Sequence, residues 1–219
     1  MPSISKEDYL KSVYKFQNEH GNTVSTADIA ADLDVSNAAT SDMAKKLAAK
    51  GFITYAPYKG LKLTAKGEKV ALNILRRHRL WELFLIKVLD LSWSEVHKEA
   101  ENLEHNTSEF LIDKIDELLE FPEFDPHGSP IPKKNGDLPK SPEMIPLSKA
   151  ISGKEYRISK VHDKDEDLIK YLTKLSLTLN KKIKVVEKLN FDNSLIIESG
   201  GMNITVSEKL SENVFVTKI

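Results

Sequence analysis

Residues 23–63 read TVSTADIAADLDVSNAATSDMAKKLAAKGFITYAPYKGLKL, and a change of period within them decides the fold. Ile29, Ala30 and Leu33 recur at helical spacing, with Thr26 suited to cap a short helix Ala27–Leu33. Asp34-Val35-Ser36 turns the chain. A second helix is expected from about Asn37 to Lys50, with Ala39, Met43, Ala44, Leu47 and Ala48 on its apolar side and Gly51 as its stop. Two short helices across a tight turn form a helix-turn-helix pattern. The period then shortens: Phe52–Tyr55 and Leu61–Thr64 are β-prone, and Pro57-Tyr58-Lys59-Gly60 between them has turn chemistry. A helix-turn-helix followed directly by a hairpin is the order of a winged helix.

Working outward, residues 5–18 place Tyr9, Leu10, Val13, Tyr14 and Phe16 near one helical face, with Ser5 as N-cap. Thr64–Gly67 opens a long helix to about Leu89, and helices Ser94–Asn106 and Ser108–Glu120 follow. The last carries a broad stripe of Phe110, Leu111, Ile115, Leu118 and Leu119, which must bury itself in a core or against another chain. Seven of the nine prolines fall between Pro122 and Pro146, which reads as an extended linker between domains. Beyond it, strands are expected at Lys154–Val161, Lys182–Lys188, Ser194–Glu198, Met202–Val206 and Val214–Lys218, with one helix at Asp165–Leu177. Short strands with one helix point to a small β-barrel. The fold class expected is therefore α+β.

Composition removes other classes. The 219 residues contain no cysteine, which excludes disulfides, thiolate catalysis and Cys-ligated metal sites. No apolar run reaches the ~18 residues a membrane span needs, and the N-terminus has no signal-peptide core, so a cytoplasmic protein is expected. The net charge of −1 is an average: residues 1–76 carry 11 basic and 8 acidic side chains, residues 77–127 carry 5 and 13, and residues 128–219 carry 16 and 12. An acidic middle is either a solvated face or a place to hold cations.

In a winged helix the start of the second helix enters the major groove. Here that start offers Ser36, Asn37, Ala38, Ala39, Thr40 and Ser41, whose hydroxyls, amide and small apolar side chains suit base edges. Lys45 and Lys46 on the same helix, with Lys59 in the wing, suit phosphates. The plainer reading is a helical hairpin with solvated lysines, and the adjoining hairpin favours DNA over it.

The acidic middle carries a second pattern. In HKEAENLEH, Glu101, Glu104 and His105 share a helical face, with His97 one turn before Glu101. The preceding helix, in RRHRLWEL, places His78 and Glu82 four apart. Six carboxylates and imidazoles on two adjacent helices suit a divalent cation.

These segments resemble the diphtheria-toxin-repressor family of metal-dependent transcriptional regulators, and its manganese-responsive branch with a C-terminal SH3-like domain in particular. The resemblance rests on EDYLKSVY, the winged helix, RRHRLWELFL, VHKEAENLEH and DPHGSPIP, and runs over essentially the whole chain. It implies a winged-helix domain at 1–72, a helical metal-binding and dimerisation domain at 73–140 with a Pro-rich linker at 122–148, and an SH3-like (FeoA-like) domain at 149–219. It also implies a primary metal site from Asp8, His78, Glu101, Glu104 and His105, and a secondary one from Glu82, His97, Asp125, His127 and His162. Asp8 and Glu101 stand where the iron-responsive branch has Met and Cys, so the ligands are harder and fit Mn²⁺. Fe²⁺ is the nearest alternative, and other divalent metals can substitute in vitro.

The function so implied is a manganese-dependent repressor that binds palindromic operator DNA as a metal-activated homodimer and controls metal-uptake genes. It is not an enzyme and has no membrane partner. The rivals are an iron-dependent repressor of the same family and, in a different class, a hydrolytic metalloenzyme, for which neither a nucleophile motif nor a substrate pocket presents itself.

Overall fold

A computed structural model describes residues 5–21, 23–56, 59–162 and 165–219. Pro57 and Tyr58 of the expected wing turn lie outside the described residues. The chain packs as two units. The first runs to Arg77 and includes 132–137, and the second comprises 78–131 and 138–219.

In the first unit, α1 (Lys6–His20) starts where the Ser5 hydroxyl accepts the Asp8 N–H at 3.0 Å. Helix α2 (Thr26–Asp32) is capped by Ser25, one residue before the expected cap. The reason is local: Asp28 lies three residues after Ser25 and completes a reciprocal capping box, which Thr26 could not form with Ile29. Helix α3 (Asn37–Ala49) is capped by Ser36 and followed by Gly51 at φ +72°. Strands β1 (Ile53–Ala56) and β2 (Gly60–Leu63) pair antiparallel, with Ile53 opposite Leu63. Tyr9, Leu10, Val13, Ile29, Ala44, Leu47, Ile53 and Leu61 form one core beneath the helices and hairpin. Helix α4 (Ala65–Lys87) then begins against the hairpin: a Cβ on Gly67 would lie 2.0 Å from the Phe52 carbonyl oxygen.

In the second unit, the end of α4 packs with α6 (Glu109–Leu118) through Leu80, Leu83, Ile112, Ile115, Leu119 and Ile131, and α5 (Val96–Glu104) buries Val96, Ala100 and Glu104. The C-terminal region forms a six-stranded antiparallel sheet. Its elements are β3 (Ile145–Pro146), β4 (Glu155–Val161), α7 (Glu166–Lys174), β5 (Lys182–Lys188), β6 (Leu195–Ser199), β7 (Met202–Val206), α8 (Glu208–Glu212) and β8 (Val214–Lys218). The strand order is β3-β8-β4-β5-β6-β7, and among the described residues no ladder joins β3 to β7. The sheet is therefore established without a closed barrel. Strand β3 and helix α8 were not expected, being too short to show a period.

The proline-rich segment differs from an extended linker. Phe124 bridges to Pro130, and Asp125, His127, Gly128, Ser129 and Ile131 are buried. Proline excludes helix here, but the residues between the prolines find partners elsewhere in the second unit, described next.

Candidate metal centre

The interior face of α4 carries His78 and Glu82, 2% and 0% exposed, four residues apart as the spacing requires. From α5, His97 meets them. His78 Nε2, His97 Nδ1 and one Glu82 oxygen, Oε1, are mutually 3.1 Å apart. The other His78 nitrogen, Nδ1, lies 2.6 Å from Glu104 Oε2, and Glu104 Oε1 lies 3.3 Å from His105 Nε2. His78 thus touches both the Glu82–His97 pair and Glu104.

The second Glu82 oxygen, Oε2, faces His127 Nδ1 at 3.5 Å, with both residues fully buried. Burial pushes the Glu82 carboxyl up. The charge of His78, the nearby His127 ring and hydrogen bonds from His78 and His97 outweigh this and hold it well below the usual carboxylate range.

His127 is delivered by the turn of the proline-rich segment. Asp125 Oδ1 accepts the main-chain N–H groups of His127 and Ser129 at 2.8 and 2.9 Å. Arg79 on α4 places Nε 3.4 Å from Asp125 Oδ2 and donates to the Pro130 carbonyl. Gly128, at φ +84°, lies so close to β4 that a Cβ would stand 2.1 Å from the Ser159 carbonyl oxygen.

Two three-residue groups in this unit can hold an ion: His78, Glu82 and His97, and Glu82, Asp125 and His127, with Glu82 common to both. The fit is favourable on spacing and chemistry. Neighbouring ligands of an octahedral ion with bonds of ~2.1 Å stand ~3.0 Å apart, close to the 3.1 Å seen here. Carboxylate oxygen and imidazole nitrogen without sulfur suit Mn²⁺, Fe²⁺ or Zn²⁺.

Other expected ligands are members of neither group. Glu101 is half exposed and 3.7 Å from His97 Nε2. His162 stands edge-on to Phe215, ring centroids 5.1 Å apart, and its main-chain N–H donates to the Asn213 carbonyl. Asp8 belongs to the first unit. Sequence reasoning missed Arg79 and Trp93. The first was legible only as one of three arginines around His78, and the second only as one of two tryptophans.

At the expected DNA face, Ser36, Asn37, Ala38 and Ala39 are exposed at the start of α3, and Ser41 is partly so. Thr40 corrects the expectation: it is fully buried and its hydroxyl donates to the Ser36 carbonyl, so it steadies the helix start rather than facing outward. Lys45 and Lys59 are exposed, and Lys46 is exposed and paired with Asp42 at 2.7 Å, which lowers the Asp42 pKa.

Comparison with known proteins agrees over the whole chain. Residues 1–61 match the iron dependent repressor N-terminal DNA binding domain, residues 64–133 the iron dependent repressor metal binding and dimerisation domain, and residues 145–218 the FeoA domain. The iron-dependent repressor IdeR of Mycobacterium leprae is 31% identical over 226 residues, spanning 97% of this chain and 96% of that protein. A solved manganese-dependent transcriptional repressor in complex with manganese matches with a TM-score of 0.91 and 31% identity, covering 98% of this chain and 100% of that one. ScaR with bound Cd²⁺ matches at 0.84 and 34% identity, covering 99% and 100%. These descriptions are of DNA-binding regulators, not enzymes. The chain is a member of the iron-dependent-repressor family of metal-dependent transcriptional regulators.

Proposed function

We propose that the protein is a manganese-dependent transcriptional repressor that binds palindromic operator DNA as a metal-activated homodimer and controls metal-uptake genes. The observation that carries this reading is Glu82, a buried carboxylate with imidazoles at both oxygens, in a chain that begins with a winged helix.

The resemblance assigns Asp8, His78, Glu101, Glu104 and His105 to a primary set and Glu82, His97, Asp125, His127 and His162 to a secondary one. Bound Mn²⁺ would supply positive charge among these carboxylates. The residues of this chain do the rest. His78, in contact with both Glu82 and Glu104, connects the two sets. Asp8 sits on the first helix of the DNA-binding part, while His78 sits on α4, Glu101 and Glu104 on α5 and His105 at the C-cap of α5. Ser36, Asn37, Ala38, Ala39 and Ser41 would read bases, and Lys45, Lys46 and Lys59 would neutralise phosphates.

The reading divides the chain into parts for DNA (1–72), metal and dimerisation (73–140) and an SH3-like module (149–219). No described helix is long and apolar enough to cross a membrane, and operator binding places the protein in the cytoplasm.

Iron is the second reading, favoured by the mycobacterial relative's name. Manganese is preferred because the absence of cysteine leaves only oxygen and imidazole among the assigned ligands. The test is selection of duplexes from a random pool by the full-length protein in MnCl₂, then binding of the enriched duplex with Mn²⁺, Fe²⁺ or chelator. Metal is expected to tighten binding by roughly 5–150-fold, the usual range of coupling between two sites. Equal affinity with and without metal would overturn the reading.

A further inference from the structure

Trp93 lies in the loop between α4 and α5 and belongs to none of the groups assigned above. Its indole stacks on the His127 imidazole, with ring centroids 5.6 Å apart and planes 16° from parallel. Its Nε1–H donates to the Pro126 carbonyl at 3.0 Å. The same side chain packs against the core of the C-terminal sheet, which includes Ile158 and Val161 of β4. One tryptophan therefore touches the His127 ring, the main chain beside it and the hydrophobic core of another part of the unit.

A second connection runs through the backbone. The carbonyl of His127 accepts the Val161 N–H at 2.9 Å, and the adjoining Gly128 admits β4 by having no side chain. His127 is thus held from both sides by groups that come together only when the sheet is packed in place: the indole over its ring and β4 on its carbonyl.

We infer that Trp93 is a positioning residue for the Glu82–Asp125–His127 group, coupling the packing of the C-terminal sheet to the hold of that group on a divalent cation. This inference rests on the manganese reading. The physical chain is short. Packing of the sheet fixes Trp93, Trp93 fixes the plane of the imidazole, and the plane decides whether Nδ1 faces Glu82. Groups of this kind, which orient a ligand without touching the ion, commonly change metal affinity by about 10–100-fold. Coupling is reciprocal, so the cation steadies the sheet by the same factor that the sheet tightens the cation.

The experiment uses the full chain and two variants, Trp93→Leu and Trp93→Phe, with MnCl₂ as the probe. Calorimetry reads Mn²⁺ affinity and stoichiometry, and hydrogen exchange reads the Val161 amide with and without Mn²⁺. In the wild type, Mn²⁺ is expected to slow exchange at Val161. Trp93→Leu is expected to weaken one class of Mn²⁺ site by about 10–100-fold and to abolish that slowing. Trp93→Phe keeps an aromatic ring for the stack but is smaller than the indole and lacks the donor to Pro126, so an intermediate loss of at least about 2- to 10-fold is expected, the worth of one hydrogen bond. It serves as the folded control if the leucine variant does not fold. Wild-type Mn²⁺ affinity in a folded Trp93→Leu chain, or in Trp93→Phe if only that variant folds, would overturn the inference and reduce Trp93 to packing. Absence of Mn²⁺ binding by the wild type would instead overturn the manganese reading, and the inference with it.

Discussion

Glu82 Oε1 lies 3.1 Å from His97 Nδ1, joining α4 to α5 through a fully buried carboxylate. A ligand that binds only the folded chain stabilises it by about 2.7 kcal/mol at a hundredfold excess over Kd. Glu82→Gln keeps the shape and removes the charge, and a tenfold loss of affinity would cut that gain by about 1.4 kcal/mol. The Mn²⁺-induced rise in melting temperature should therefore shrink by about 3–6 °C for a chain of this size. Thermal melts with and without MnCl₂ check this, and an undiminished rise would remove Glu82 from the ligand set.

Gly128 makes a different kind of prediction. An alanine there would have its Cβ 2.1 Å from the Ser159 oxygen at a backbone φ of +84°. A non-glycine residue in that region costs about 1–3 kcal/mol before the collision is counted. Gly128→Ala should lower the urea midpoint of the second unit and speed exchange at the Val161 amide, while the hairpin of β1 and β2 is unaffected.

The contrast between these two residues shows what the sequence makes legible. Glu82 was identifiable because His78 precedes it by one helical turn, and helix geometry alone then puts both on one face. The wing was identifiable because the apolar period changes at Phe52. The proline-rich turn was not, since its order comes from Arg79, Trp93 and Val161, which lie 33 to 51 residues from the groups they meet there and leave no periodic mark. Thr40 was misread for a related reason: its position at the helix start matched a base reader, and only the three-dimensional core shows that it points inward.

Helix α6 leaves Phe110, Leu111 and Leu118 at 74%, 45% and 62% exposed, with Phe121 just beyond its end at 68%, while Ile112 and Ile115 fill the core behind the helix. Large exposed apolar side chains at helical spacing mark a surface that meets another chain, and the dimerisation match covers this helix. Phe110→Glu should shift the protein toward monomer in sedimentation experiments while its helical content stays the same. A dimer of unchanged affinity would move the interface elsewhere.

Asp8 separates cap from ligand. Its main-chain N–H, not its carboxylate, satisfies Ser5 at the start of α1. Asp8→Ala should therefore leave the Ser5 cap of α1 intact, since no atom of that cap is removed. If Asp8 belongs to the primary set, the same change should remove most of the Mn²⁺-dependent gain in DNA affinity. Both are read from one preparation, by melting and by fluorescence anisotropy on the enriched duplex.

Lys59 and Asn37 test the two halves of DNA recognition against each other. Both are exposed, one on the wing and one at the start of α3. A lysine on a phosphate contributes equally to every sequence, so Lys59→Ala should weaken binding to enriched and scrambled duplexes alike. It should also reduce the slope of log affinity against log salt by about 1. An amide on an adenine edge contributes only where that base is present, so Asn37→Ala should lose about 1–3 kcal/mol on the enriched duplex and almost nothing on the scrambled one, with the salt slope unchanged. Anisotropy titrations at several salt concentrations distinguish them. If Asn37→Ala weakened both duplexes equally, the start of α3 would be holding the backbone rather than reading bases.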